Sequence, residues 1–167
     1  GHRFTGCEVD PRALEAACRL FDGQGLPQPE WIEGDYLRCD WDRRYPAILC
    51  NPPYQRFQNY PDRESLLREV QSRLGLSLSG LTNLHTLFLL KSVHQLAPGG
   101  RMAYILPSEF LNAGYGEPVK RYLLESGSLR YVLVFDFAAT VFEDALTTAC
   151  ILLFARDGRE ERVEFAG

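Results

Sequence analysis

The sequence lacks several features that would each have set its class. No apolar run approaches the roughly 18 residues that would read as a membrane span, and no secretory leader opens the chain. There is no C-x-x-C pair. Cys7, Cys18, Cys39, Cys50 and Cys150 are scattered, and the three histidines do not cluster with them, so no zinc site and no other metal site is expected. An odd number of scattered cysteines in a core-forming chain predicts reduced, buried thiols and a cytoplasmic setting. Positive charge is not in surplus: the formal net charge is −4. That counts against a protein whose whole surface grips phosphates, but not against a catalytic domain that borrows such a grip from another module. Internal repeats and low-complexity tracts are absent. So is a glycine-rich turn following a strand, because Gly99-Gly100 comes after a helical pattern and reads as its C-cap.

What is present is an ordinary globular chain of 167 residues, 46% apolar and 24% charged, enough for one domain with a core. Phe4 to Val9 reads as a short buried strand ending at a carboxylate. Asp10-Pro11 follows, an N-cap and a first-turn proline, and Ala13, Leu14, Ala17 and Leu20 form one helical face ending before Gly23. Trp31-Ile32 is a brief strand. Tyr45 to Cys50 reads as another buried strand, stopped by the prolines after Asn51. Residues 62–74 carry a further helical pattern. Leu84, Leu87, Phe88, Lys91 and Val93 mark a helix running to Pro98-Gly99-Gly100, and Met102 to Leu106 is a strand. Gly116 to Ser126 reads as a helix, Tyr131–Phe137 and Thr148–Phe154 as strands, and 162–165 as a last short strand. Strands alternate with helices until that pair, which only about ten residues separate. The pattern predicts an α/β fold with a mostly parallel sheet and an antiparallel terminal hairpin.

Asn51-Pro52-Pro53-Tyr54 is the stretch that carries chemistry. It leaves the carboxyl end of a strand, where open α/β sheets bind ligands. An exocyclic amine on a nucleobase is a poor nucleophile because its lone pair is delocalised into the ring. The Asn51 side-chain oxygen and the Pro52 carbonyl can accept its two N–H groups, drawing the nitrogen toward tetrahedral geometry and stabilising the positive charge that develops. Pro53 continues the rigid turn, and Tyr54 offers a flat face on which a base can stack. A plain strand-end turn is the competing reading, since Asn and Pro are common there.

In this setting the chain resembles the adenine-N6 DNA methyltransferases of restriction–modification systems: the type II and Eco57I-like type IIG enzymes and the type I modification subunits. The resemblance covers nearly the whole sequence. It implies a Rossmann-like class I methyltransferase sheet and S-adenosyl-L-methionine as cofactor. Residues 4–11 resemble the family's second motif, implying that Glu8 binds the cofactor ribose hydroxyls. Gly34-Asp35-Tyr36-Leu37 resembles the third, implying that Asp35 accepts from the cofactor adenine amine and that Tyr36 lines the adenine slot. A turn role competes for Asp35. Residues 97–112 match the helix–turn–strand that follows the catalytic strand, with Pro107 to Leu111 shaping a pocket wall and a weaker possibility of direct contact from Ser108 or Asn112. The segment 141–148 implies that Phe142 stacks on the target base opposite Tyr54; a core role competes. The substrate implied is adenine in double-stranded DNA, extruded from the helix.

The family's first motif, an acidic residue and a glycine-rich turn after the first strand, has no counterpart here. The expectation is therefore a single partial catalytic domain over 1–167, with first strand and target-recognition domain lying elsewhere and a restriction subunit or domain as possible partner. Its sheet would be incomplete or repaired by another chain, and the fragment alone would bind cofactor weakly and be inactive. Alternatives are a glutamine-N5 protein methyltransferase, an RNA base methyltransferase, and a non-catalytic scaffold subunit that kept the fold.

Overall fold

The computed structural model describes residues 3–54, 57–135, 149–158 and 162–166. The chain forms two compact units, residues 1–41 and 42–167.

In the first unit, β1 (Thr5–Glu8) and β2 (Glu30–Glu33) pair in parallel, with Glu8 opposite Glu33. Between them runs α1 (Pro11–Gly23), started as its sequence suggests: Asp10 is extended and accepts from the Arg12 amide at 2.8 Å, and Pro11 takes the first helical position. Gly6 lies opposite Trp31, whose ring would come within 2.3 Å of any Cβ there. The indole packs on Gly6 and meets Phe21 of α1 edge-on, with centroids 5.9 Å apart. The expectation that this strand is buried does not hold. Its residues are half-buried, and Phe4 and Val9 on either side are exposed. Two strands and one helix cannot cover both faces.

The second unit is built on a five-stranded sheet in the order β3-β4-β6-β5-β7. β3 (Tyr45–Cys50) and β4 (Leu96–Pro107) are parallel; β6 (Ala149–Ala155) runs antiparallel to both β4 and β5 (Leu129–Phe135); β7 (Glu164–Ala166) returns parallel to β5. The antiparallel pairing of β5 with β6 is the hairpin expected from the sequence. The helices are α2 (Arg63–Leu74), α3 (Leu84–Gln95), α4 (Glu109–Asn112) and α5 (Glu117–Glu125). α3 is the centre of this unit, contacting β4, α2 and α5. Leu84, Leu87, Leu89, Leu90 and Val93 are all buried, as befits a helix apolar around most of its circumference. At the far end of the sheet Asp157 takes ion pairs from Arg130 at 2.9 Å and Arg101 at 3.2 Å, tying β5 and β4 to the residues that leave β6.

Two local readings need correction here. The sequence predicts a buried β3, but among the described residues it stands at the edge of its sheet, paired only with β4, and Leu49 is 88% exposed. Its apolar composition suits a strand covered on both sides, whereas within this unit one hydrogen-bonding edge is open. Pro98-Gly99-Gly100 is not the cap of α3. The helix stops at Gln95, and the segment already belongs to β4. The Gly99 amide donates to the Arg156 carbonyl at 2.6 Å, and the Arg156 amide donates back to the Gly100 carbonyl at 3.0 Å. Gly99 has φ +76°, and a Cβ on Gly100 would meet the Ala97 carbonyl oxygen at 2.8 Å, so both glycines are required by the bulge between Leu96 and Arg101.

Candidate active site

Asn51-Pro52-Pro53-Tyr54 leaves the carboxyl end of β3 directly, because neither proline can continue the strand. Pro52 is buried and anchors the turn; Asn51, Pro53 and Tyr54 are exposed. The phenolic hydroxyl of Tyr54 donates to Asn51 Oδ1 at 2.5 Å. The side-chain amide therefore points outward from the strand tip, with its acceptor oxygen held by a donor from the same motif.

Beneath the tyrosine lie Cys50 and Cys150. Burial pushes the Cys150 thiol up to about 12, and burial also raises Cys50 despite a hydrogen bond with Tyr104. Both thiols are protonated packing groups rather than nucleophiles. The Tyr54 phenol is raised as well, by burial first and by proximity to Cys50 and then Cys150, so its hydroxyl keeps its proton and remains a donor.

The residue that sequence reasoning missed is His85. It lies in the first turn of α3, is 4% exposed, and its ring meets Tyr54 edge-on with centroids 6.3 Å apart and an interplanar angle of 73°. Burial lowers its pKa to about 4, so the imidazole is neutral near pH 7. Among the described residues its Nε2 has no hydrogen-bond partner, and the same holds for the hydroxyls of Thr82 and Thr86. All three atoms lie at the start of α3, and His85 is the one whose ring meets the motif tyrosine. The sequence offers one signal: Thr82, His85 and Thr86 are polar residues at helical spacing at the start of a helix whose next turns are Leu87 to Leu90. A shallow cavity of about 170 Å³ opens next to this turn, lined by Phe57, Gln58, Gly80, Leu81, Thr82 and Asn83.

In the first unit the structure brings Glu8 and Asp35 to the same ends of the parallel strands. The Gly34 amide donates to the Glu8 carbonyl at 2.9 Å. Glu8 Oε1 accepts from the Val9 and Asp10 amides, both at 2.8 Å, which fixes the carboxylate and leaves Oε2 for a ligand. Asp35 Oδ1 accepts from the Leu37 amide at 2.9 Å, and its Oδ2 lies 3.8 Å from Arg38 Nε. That is the turn role weighed against a ligand role, although the long approach to Arg38 leaves Oδ2 able to accept another donor. Tyr36 is half-buried in the same turn. A carboxylate held by amides of its own turn, with one oxygen left over, fits a pair of vicinal hydroxyls, so the residues present suit the ribose of a nucleoside cofactor. Phe142 lies outside the described residues. Ser108 is buried at the start of α4 and Asn112, at its end, is exposed. Among the described residues there is no group of three or more His, Cys, Asp or Glu that could hold a metal ion, and no helix long and apolar enough to cross a membrane.

Comparison with known proteins identifies the family and the fold. Residues 10–142 match the family described as Eco57I restriction-modification methylase. The chain is 48% identical over 158 residues to the type II methyltransferase M.AccI of Acinetobacter calcoaceticus, covering 95% of this chain and 29% of that protein. It is 29% identical to the type II methyltransferase M.TthHB8I of Thermus thermophilus, covering 95% of this chain and 35% of the relative. The chain thus spans about a third of the length of these relatives. Among solved structures, the type I restriction-modification system methyltransferase subunit from Streptococcus thermophilus superposes with a TM-score of 0.79 at 21% identity, over 98% of this chain and 35% of that one. A chain described as a class I S-adenosylmethionine-dependent methyltransferase, from Listeria monocytogenes, gives 0.70 at 16% identity, over 98% and 49%. The fold is accordingly the Rossmann-like α/β sheet of the class I methyltransferases, as the sequence implied. With an N-P-P-Y turn at a strand tip, and with both the family match and a relative at nearly half identity, the chain belongs to the Eco57I restriction-modification methylase family.

Proposed function

We propose that the protein methylates the N6 amine of adenine in DNA, as the modification activity of a restriction–modification system, and that Asn51, Pro52, Pro53 and Tyr54 form the amine site. The observation that carries this reading is the Asn51 side chain, exposed at the strand tip with its Oδ1 already accepting from a hydroxyl. An acceptor that binds a donor of its own motif can exchange it for a donor on a ligand.

The incoming adenine amine replaces the phenol on Asn51 Oδ1 and gives its other hydrogen to the Pro52 carbonyl. Both bonds favour the pyramidal nitrogen of the transition state over the planar ground state, so they lower the barrier rather than merely tighten binding. Tyr54 stacks on the extruded base, and Phe142 is the proposed partner on its other face. Bound S-adenosyl-L-methionine supplies an electrophilic methyl group on a sulfonium. Glu8 Oε2 would hold its ribose hydroxyls, Asp35 its adenine amine and Tyr36 the adenine face. The amine loses its proton after transfer, so no general base with a tuned pKa is needed.

The same reading assigns the partners and the setting. Double-stranded DNA is the substrate, sequence recognition lies in a segment outside these 167 residues, a restriction subunit or domain is the associated activity, and the cytoplasm is the site of action. The test is methyl transfer to duplex DNA by the full-length protein that carries these residues, compared with an RNA and with a glutamine-bearing protein acceptor. Label on adenine N6 of the duplex is expected. Asn51→Ala should lower kcat by about 10² to 10³ while cofactor binding is kept. Transfer only to RNA or protein, or an Asn51→Ala variant as fast as wild type, would overturn the assignment.

A further inference from the structure

Cys7 and Cys39 are 32 residues apart in sequence, yet their sulfurs are in contact at 3.7 Å, and both are reduced. Each thiol also donates to a carbonyl of the turn that follows β2: Cys7 Sγ to Gly34 at 3.3 Å, and Cys39 Sγ to Tyr36 at 3.7 Å. Both side chains are half-buried, so the pair is fixed in place but within reach of a small reagent. Its location gives it a consequence. Cys7 directly precedes Glu8 on β1, and Cys39 closes the turn that Asp35 opens, its amide donating to the Asp35 carbonyl at 3.0 Å. The two thiols therefore sit on the backbone that supports both carboxylates proposed to hold the cofactor. The effect on the cofactor rests on that reading; the chemistry of the thiols does not.

We propose that Cys7 and Cys39 form a modification site: a thiol pair that a low-molecular-weight disulfide converts to an intramolecular disulfide, and whose closure weakens cofactor binding at Glu8 and Asp35. One cysteine, as its thiolate, attacks a sulfur of the reagent. The reagent's S–S bond breaks, and its other sulfur leaves and takes up a proton as a thiol. The second cysteine gives up its proton and attacks the protein sulfur of the mixed disulfide, expelling the remaining half of the reagent as a second thiol. Two cysteine thiols are oxidised, one reagent disulfide is reduced to two thiols, and both protons end on the reagent. The second step is intramolecular between sulfurs already in contact, which favours the bridge over the mixed disulfide. Closure brings the sulfurs from 3.7 Å to about 2.05 Å. It also removes both S–H donors from the Gly34 and Tyr36 carbonyls. Leu37, fully buried, accepts from the Trp41 indole at 2.9 Å through its carbonyl and holds the middle of the turn. The displacement therefore falls on the ends of the turn, where Asp35 stands. Exchange with a thiol reopens the bridge, so in a reducing compartment it acts as a reversible signal rather than a staple.

The test uses the full-length protein that carries these residues, equilibrated in glutathione buffers from reducing to oxidising, quenched by alkylation and digested with trypsin. Cleavage at Arg12, Arg19 and Arg38 places Cys7, Cys18 and Cys39 on separate peptides. Under oxidising conditions the Cys7 and Cys39 peptides should appear joined, lighter than their sum by two hydrogens, and dithiothreitol should separate them. Cys50 and Cys150 should remain alkylated. Two thiols that stay alkylated throughout, that each carry glutathione singly, or that join other cysteines would overturn the site. In calorimetry with S-adenosyl-L-methionine, oxidation should weaken binding by about two- to tenfold, the range of one neutral hydrogen bond, and dithiothreitol should restore it. The double variant Cys7→Ser, Cys39→Ser keeps a donor at each position and should bind alike in both buffers. Equal affinity of the bridged and reduced wild type, or the same loss in the double variant, would overturn the coupling. A protein that bridges Cys7 to Cys39 but binds no cofactor in either state would refute the roles proposed for Glu8 and Asp35, and the coupling with them, while the thiol pair stands.

Discussion

His85 also makes a quantitative statement about stability. Its pKa falls from 6.5 in the unfolded chain to about 4 in the folded protein, and burial is the cause. Between those two values the unfolded state binds the proton and the folded state does not, so stability must fall as pH drops through this window. The contribution is fully present above pH 6.5 and is lost as pH falls toward 4. A shift of that size corresponds to about 3 kcal/mol in full, and roughly 2 kcal/mol of it is gone by pH 5. Set against the 5–15 kcal/mol typical of a folded domain, this is a visible fraction. Carboxylates titrate in the same range, so the informative quantity is a difference. Urea unfolding of the wild type and of His85→Gln, which does not titrate, should be compared from pH 5 to 7.5. The wild type should lose about 2 kcal/mol more than the variant between pH 7.5 and pH 5. If the gap between the two proteins is flat across that range, the imidazole is not neutral and buried as described.

Other perturbations test the frame around the site. Asp157→Ala leaves the guanidinium of Arg130, itself largely covered, without its carboxylate; a loss of about 1–3 kcal/mol is expected in urea unfolding, and a change within error would mean that the bridge is only decorative. Gly100→Ala should lower stability by about 1–3 kcal/mol, because its Cβ would press on the Ala97 carbonyl and the Leu96 side chain; an unchanged melting temperature would show that the bulge relaxes freely. Leu87→Ala empties a position of zero exposure on the central helix and should cost about 2–5 kcal/mol, read as a lower denaturation midpoint with the slope conserved.

What could be read from the sequence, and what could not, divides along the distance between interacting residues. The start of α1 was legible because Asp10 and Pro11 act on amides one or two positions away. The N-P-P-Y turn was legible because the prolines themselves end the strand and the Tyr54–Asn51 bond closes within the motif. The hairpin of β5 and β6 was legible because only about ten residues separate the two strand patterns and their sequence carries no helical pattern. The end of α3 misled because a glycine pair after an apolar helix usually is its cap, whereas here both glycines answer to Arg156 on a distant strand. The exposure of β3 was invisible for a related reason: composition says what could cover a strand, not what does. His85 is the sharpest case. Taken alone it is one histidine among leucines, with a core role the better guess, and only the approach of a tyrosine from another part of the chain gives its free nitrogen a meaning. Chemistry confined to four consecutive residues can be read off a sequence; the contact of Tyr54 with His85 cannot, because it is stored in the packing of one helix against one turn.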